Sequence, residues 1–69
     1  MAEVIVNAGA EMVSGLVTNM SLSVGAPIRV VERYQGKLAL NNREAAERVV
    51  AYLHEYGFSE AKIEEEDLS

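Results

Sequence analysis

His54 is the single histidine of a 69-residue chain that has no cysteine. Disulfides, thiol chemistry and zinc-thiolate sites are therefore excluded, and one imidazole falls short of an ordinary zinc site unless carboxylates complete it. A serine nucleophile would need a base and an orienting group brought to one point, and no spacing in the chain sets Ser, His and Glu in that relation. Gly9, Gly15, Gly25, Gly36 and Gly57 are too scattered to cradle a phosphate and read as turn and cap residues. The expectation is a protein that is not an enzyme, with no catalytic residue, metal ligand or cofactor assigned. His54 then belongs to a helix edge, where pH sensing is the one further role open to a lone imidazole.

The chemistry that remains is charge. Residues 1–42 carry Glu3, Glu11 and Glu32 against Arg29, Arg33 and Lys37, whereas residues 43–69 carry eight acids against three bases and so hold the whole formal charge of −5. Such a field repels phosphates and anionic membranes and draws basic proteins. Glu44, Glu47, Glu55, Glu64, Glu65, Glu66 and Asp67 are accordingly the candidate partner-binding surface. The expected partner is a protein with a basic surface; a membrane is not expected, and nucleic acid is disfavoured. Arg29, Arg33 and Lys37 form the alternative site, an anion-binding stripe, because positions i and i+4 of a strand share a face. Tyr34 falls on the other face, so the stacking platform that bases require is missing.

From Met12 to Ile28 no residue is charged. Exposed strand edges ordinarily carry Lys, Pro or an inward charge, so this tract is expected to be covered by a second copy or a partner. The equal alternative is a central strand with Ser and Asn on a modestly exposed face. Leu16, Thr18, Met20, Ser21 and Leu22 are the candidate self-association residues. A 7.5 kDa chain buries only about 60% of the surface its unfolded form exposes, so a homo-oligomer would add stability that the core alone lacks.

The firmest element is a helix over residues 43–56. Asn41 or Asn42 caps it, and Glu44 lies three residues after Asn41 at the capping-box spacing. Ala46, Val49, Val50 and Leu53 line one face, and Glu44 and Arg48 pair on the outer one. Gly57 fits the left-handed position that ends the helix, with Phe58 placed to touch Leu53. Beyond it, Ser59, Ala61 and Ile63 alternate with Glu60, Lys62 and Glu64 as a short half-buried strand. The acids that follow repel one another, which predicts a mobile tail over 64–69. Val4, Ile5 and Val6 form a strand closed by Asn7-Ala8-Gly9, and residues 28–41 form a hairpin around Gln35-Gly36.

Residues 10–24 fit two periods. Met12, Val13, Leu16, Val17 and Met20 make a helical stripe, while Leu16, Thr18, Met20, Leu22 and Val24 alternate as a strand. Ser14-Gly15 together with Val, Thr and Asn disfavour a helix, so the expectation is a strand over roughly 16–24. The resulting order is β-β-β-β-α-β, an antiparallel meander with one helix packed on a face. The alternative is β-α-β-β-α-β, the split order of ferredoxin-like domains. Both are α+β and form one domain over residues 1–69. No leader pattern and no apolar run near the ~20 residues of a membrane helix is present, which predicts a cytoplasmic protein. The leading functional expectation is a small acidic, non-catalytic protein-interaction module. It would be an inhibitor or adapter that offers carboxylates to a nucleic-acid-binding partner where phosphates would sit. The alternatives are a small-ligand or nucleic-acid binder using the basic stripe, and a small oligomeric enzyme with a site between subunits.

Overall fold

Val4, Ile5 and Val6 build the strand around which the chain is assembled. The computed structural model describes residues 3–67, with side chains as far as Glu64. In chain order the elements are β1 (Glu3–Asn7), α1 (Ser14–Val24), β2 (Arg29–Glu32), β3 (Lys37–Leu40), α2 (Arg43–Glu55) and β4 (Lys62–Asp67). They form one sheet of order β2-β3-β1-β4, antiparallel at every pairing. Both β1 and β2 oppose β3, so they run parallel to each other, and a tight hairpin cannot join parallel strands. Residues 8–28 must instead cross from one end of the sheet to the other. The same holds for β3 and β4 about β1. Each crossover contains a helix, and both helices lie side by side on one face of the sheet.

The α+β class is as expected, but the order is the split β-α-β-β-α-β and not the meander. Residues 16–24 are helical. Their burial repeats at Leu16 and Val17, Met20, then Val24, while Leu22, which the strand alternation would have turned inward, is 77% exposed. Packing decides the matter: α2 lies close over β1, β3 and β4, and the β2 side of the core face needs a second cover. The core is made of Val4, Val6, Leu38 and Leu40 from the sheet, Met20 and Val24 from α1, and Ala45, Ala46, Val49 and Leu53 from α2. Ala8, Met12 and Ala61 close it from the connections. Val50, expected to be buried beside Leu53, is only partly covered.

α2 has the ends the sequence predicts. The Asn42 side chain accepts from the Ala45 N–H at 2.8 Å. At the far end Gly57 takes φ +95°, and the Phe58 and Gly57 N–H groups donate to the Leu53 and His54 carbonyls at 2.8 and 3.1 Å. That is the double bond of a Schellman cap. β4 runs past the point where the tail was expected to begin: Glu65, Glu66 and Asp67 pair with Ile5, Val4 and Glu3 of β1. An open ladder on β1 gives these backbone groups partners whatever the charge of their side chains. Residues 68 and 69 of that expected tail lie outside the described residues.

The β2–β3 turn and the loop before α1 are locked together. Ala8 N–H donates to the Gly36 carbonyl and Met12 N–H to the Arg33 carbonyl, both at 2.9 Å. Gly36 has φ +71°, and a Cβ placed there would stand 2.3 Å from the Ala10 carbonyl oxygen, so only glycine fits.

Candidate interaction surfaces

The face of the sheet away from the helices carries Glu3 and Asn7 of β1, Arg29 of β2, Lys37 of β3 and Glu64 of β4. Two ion pairs cross it. Arg29 Nη2 donates to both oxygens of Glu3 at 3.0 and 2.9 Å, spanning β3. Lys37 Nζ stands 3.3 Å from Glu64 Oε1, spanning β1, and Asn7 Nδ2 donates to Glu64 Oε2 at 2.7 Å. The hydrogen bond from Asn7, and then that from Lys37, holds the Glu64 carboxyl below the ordinary carboxylate range. Its contribution to stability is full above that range and is lost as pH falls through the lowered value. Of the three cations in the alternative anion site, two are thus held by carboxylates of their own chain. Arg33 lies in the β2–β3 turn rather than on a strand, so the three do not form one stripe.

The outer face of α2 is similarly self-paired. Arg43 Nε meets Glu47 Oε2 at 3.2 Å and Arg48 Nη2 meets Glu44 Oε1 at 3.1 Å. Exposed pairs of this kind contribute about 0.3–0.5 kcal/mol each, and they cancel the field of both acids at a distance. Glu55 is exposed and has no ion-pair partner among the described residues. Beside it, Tyr52 and Tyr56 stack with centroids 4.5 Å apart at 11°. A hydrogen bond with Tyr56, aided by burial, raises the Tyr52 phenol above its ordinary value. Among the described residues four of the six cations thus pair with Glu3, Glu44, Glu47 and Glu64. With those four pairs set aside, the formal −5 of the sequence comes from Glu11, Glu32, Glu55, Glu60, Glu65, Glu66 and Asp67 against Arg33 and Lys62.

Glu65, Glu66 and Asp67 stand on an edge strand. Among the described residues β4 pairs with β1 on one side and with no strand on the other, and its sequence from Glu64 is four consecutive acids. The side chains of Glu65, Glu66 and Asp67 lie outside the described residues. Next to β4, between it and α2, lies a shallow apolar hollow of about 400 Å³ walled by Val50, Ala51, Ala61 and Ile63, with Glu47 and Lys62 at its rim. His54 closes one side, its Nε2 donating to the Ala61 carbonyl at 2.7 Å, so the imidazole ties the end of α2 to the approach of β4. The periodicity of the helix placed His54 on this edge; the hollow itself depends on how α2 crosses β4, which periodicity does not report.

The candidate self-association residues fall on a helix and are dispersed around it. Met20 is in the core, Leu16 is half-buried, and the Ser21 hydroxyl donates to the Ala26 carbonyl at 2.7 Å. Only Thr18 and Leu22 face outward. The other edge strand, β2, shows what the sequence reading missed: Val30 and Val31 are 39% and 46% exposed on a strand with no outer neighbour among the described residues.

Among the described residues no group of three or more His, Asp or Glu is placed to hold a metal ion, and no helix is long and apolar enough to cross a membrane. Compared with protein-family models, with curated proteins and with solved structures, the chain matches none.

Proposed function

We propose that this protein is a small acidic, non-catalytic interaction module whose β4 edge receives an extended basic segment of a partner protein. The observation that supports it is the acidic sequence Glu65–Asp67 on a strand with an open outer ladder among the described residues, set beside an apolar hollow. A strand added to a sheet edge gains affinity from main-chain hydrogen bonds and specificity from alternate side chains that enter neighbouring pockets. Like charge keeps a second acidic edge away, and opposite charge selects a segment rich in Lys or Arg, steering the encounter most strongly at low salt. The hollow between Val50, Ala51 and Ile63 takes one apolar side chain of that segment. Where the partner uses that basic segment to grip nucleic acid, occupation of it makes the module an inhibitor. The helix acids expected to share this role, Glu44 and Glu47, are spent on Arg48 and Arg43, which moves the site from the helix to the strand.

The test is a fluorescence-anisotropy titration with a labelled peptide of alternating Lys and Val, run at two salt concentrations. Binding that weakens at higher salt and is lost in Glu65→Lys/Glu66→Lys, but not in Glu44→Gln/Glu47→Gln, is the expected result. Equal binding by both variants overturns the assignment.

A further inference from the structure

We infer that the opposite edge, β2, pairs with β2 of a second copy to form a two-fold dimer with one continuous eight-stranded sheet. The inference is independent of the role proposed for β4. β2 reads Arg29-Val30-Val31-Glu32. Laid antiparallel on itself about an axis between Val30 and Val31, it sets Arg29 against Glu32 of the partner copy and Val30 against Val31, and the two-fold repeats each match. In a regular strand this would fail, because residues three apart point to opposite faces while residues directly opposed across strands point to the same one. Here the register slips between Val30 and Glu32, so that Arg29 lies opposite Ala39 and Glu32 opposite Lys37. Ala39 and Lys37 are two apart on β3 and share a face, so Arg29 and Glu32 share it too. The bulge at Val31 is what makes the edge complementary to itself.

The two charged groups have bonding capacity to spare. Glu3 occupies only Nη2 of Arg29, which leaves the Nη1 and Nε hydrogens for a second carboxylate. Glu32 accepts from the Tyr34 and Gln35 N–H groups, one on each oxygen, and each oxygen retains a lone pair. The neighbouring helix fits the same arrangement. The segments flanking α1 adjoin the two ends of β2: the Met12 N–H, ahead of α1, donates to the Arg33 carbonyl just after β2, and the Ser21 hydroxyl donates to the Ala26 carbonyl in the connection that leads into β2. The exposed residues of α1, Ser14, Gly15, Thr18, Asn19, Leu22 and Ser23, include no charge, so α1 adds no charge repulsion at the seam. The acidic β4 edge repels its own copy, which leaves β2 as the edge available for self-pairing.

Sedimentation velocity of the full chain from micromolar to near-millimolar concentration tests this. The mass is expected to rise from 7.5 kDa toward twice that value. Val31→Lys should hold it at monomer, with circular dichroism confirming an unchanged fold. Arg29→Glu and Glu32→Arg should each be monomeric alone, since each sets like charges across the seam, and their equimolar mixture should recover a one-to-one dimer. A parent that stays monomeric throughout, a dimer untouched by Val31→Lys, or a mixture that fails to associate would each overturn the inference.

Discussion

α1 and α2 cover the same face of the same sheet, and only one of them is equipped to be a helix on its own. α2 has a side-chain cap from Asn42, an acid in its first turn, His54 in its last, two outward ion pairs and a glycine-closed end. α1 begins after Val13 with no capping side chain, has no acid in its first turn and no base in its last, and contains Gly15, Thr18, Asn19 and three serines among eleven residues. Summed propensity, caps and dipole favour α2 by several small terms of about 0.3–1 kcal/mol each and give α1 almost nothing. What makes α1 helical is non-local: two parallel strands must be bridged, and the core beside α2 must be closed by Met20 and Val24. The same architectural role is met by local coding in one helix and by tertiary demand in the other.

The largest way to separate the two is to remove a core contact from each. Leu53 and Met20 are both fully buried. Leu53→Ala should cost on the order of 2–4 kcal/mol, much of the stability of so small a domain, while leaving α2 formed because its caps remain. Met20→Ala should cost about 2–3 kcal/mol, since a flexible thioether leaves a gap its neighbours can partly close. The sharper difference lies in native-state hydrogen exchange. Met20→Ala should lower protection of the α1 amides far below that of α2, whereas Leu53→Ala should lower both together. Uniform loss in both variants would mean that α1 has more local stability than its sequence suggests.

This difference also explains what could be read from the residues and what could not. α2, its Asn42 cap, its Gly57 terminus and the Glu44–Arg48 pair were legible because each is a signal within about four positions of its partner. The strand direction that forces α1 was not, because it follows from β1 and β2 both pairing with β3, a relation across more than thirty residues. The alternation from Leu16 to Val24 is a real pattern that the fold leaves unused. The acidic surface was half legible. Composition located it in the last third of the chain, but which acids are cancelled depends on Lys37 lying across β1 from Glu64, and on β4 continuing beyond Glu64 as an edge. The β2 edge was hidden for the same reason: Arg29 and Glu32 come onto one face only through a bulge, and no single-residue signal marks one there.

Caps offer the next contrast. Asn42→Ala should cost about 1 kcal/mol by orphaning the Ala45 N–H, visible as a lower urea midpoint at unchanged slope. The reverse experiment is available in α1. Val13 already holds the extended backbone of a cap residue, φ −81° and ψ 148°, and its side chain is mostly exposed. Val13→Asp should therefore add about 0.5–1 kcal/mol by giving the first turn an acceptor and a favourable charge. If it destabilises instead, the Val13 side chain is worth more to the fold than the cap is to the helix.

The smallest expected effect is the one that isolates propensity from everything else. Gly15 sits in the first turn of α1, exposed, with nothing within 4 Å of where a Cβ would stand. Gly15→Ala touches no contact, so it acts by restricting the unfolded chain, and should raise stability by about 0.5–1 kcal/mol. Gly25, at the other end of the same helix, has equally open space but a φ of +69°, where a side chain is strained. Gly25→Ala should lower stability by about 1 kcal/mol, the opposite sign from an identical chemical change. Measured together by urea denaturation, the two substitutions test whether α1 is a poor helix held in place or a good one misjudged. In the first case Gly15→Ala gives its full gain and slows amide exchange within α1 alone. In the second, Gly15→Ala gives no more than a few tenths of a kcal/mol and exchange in α1 already matches that in α2.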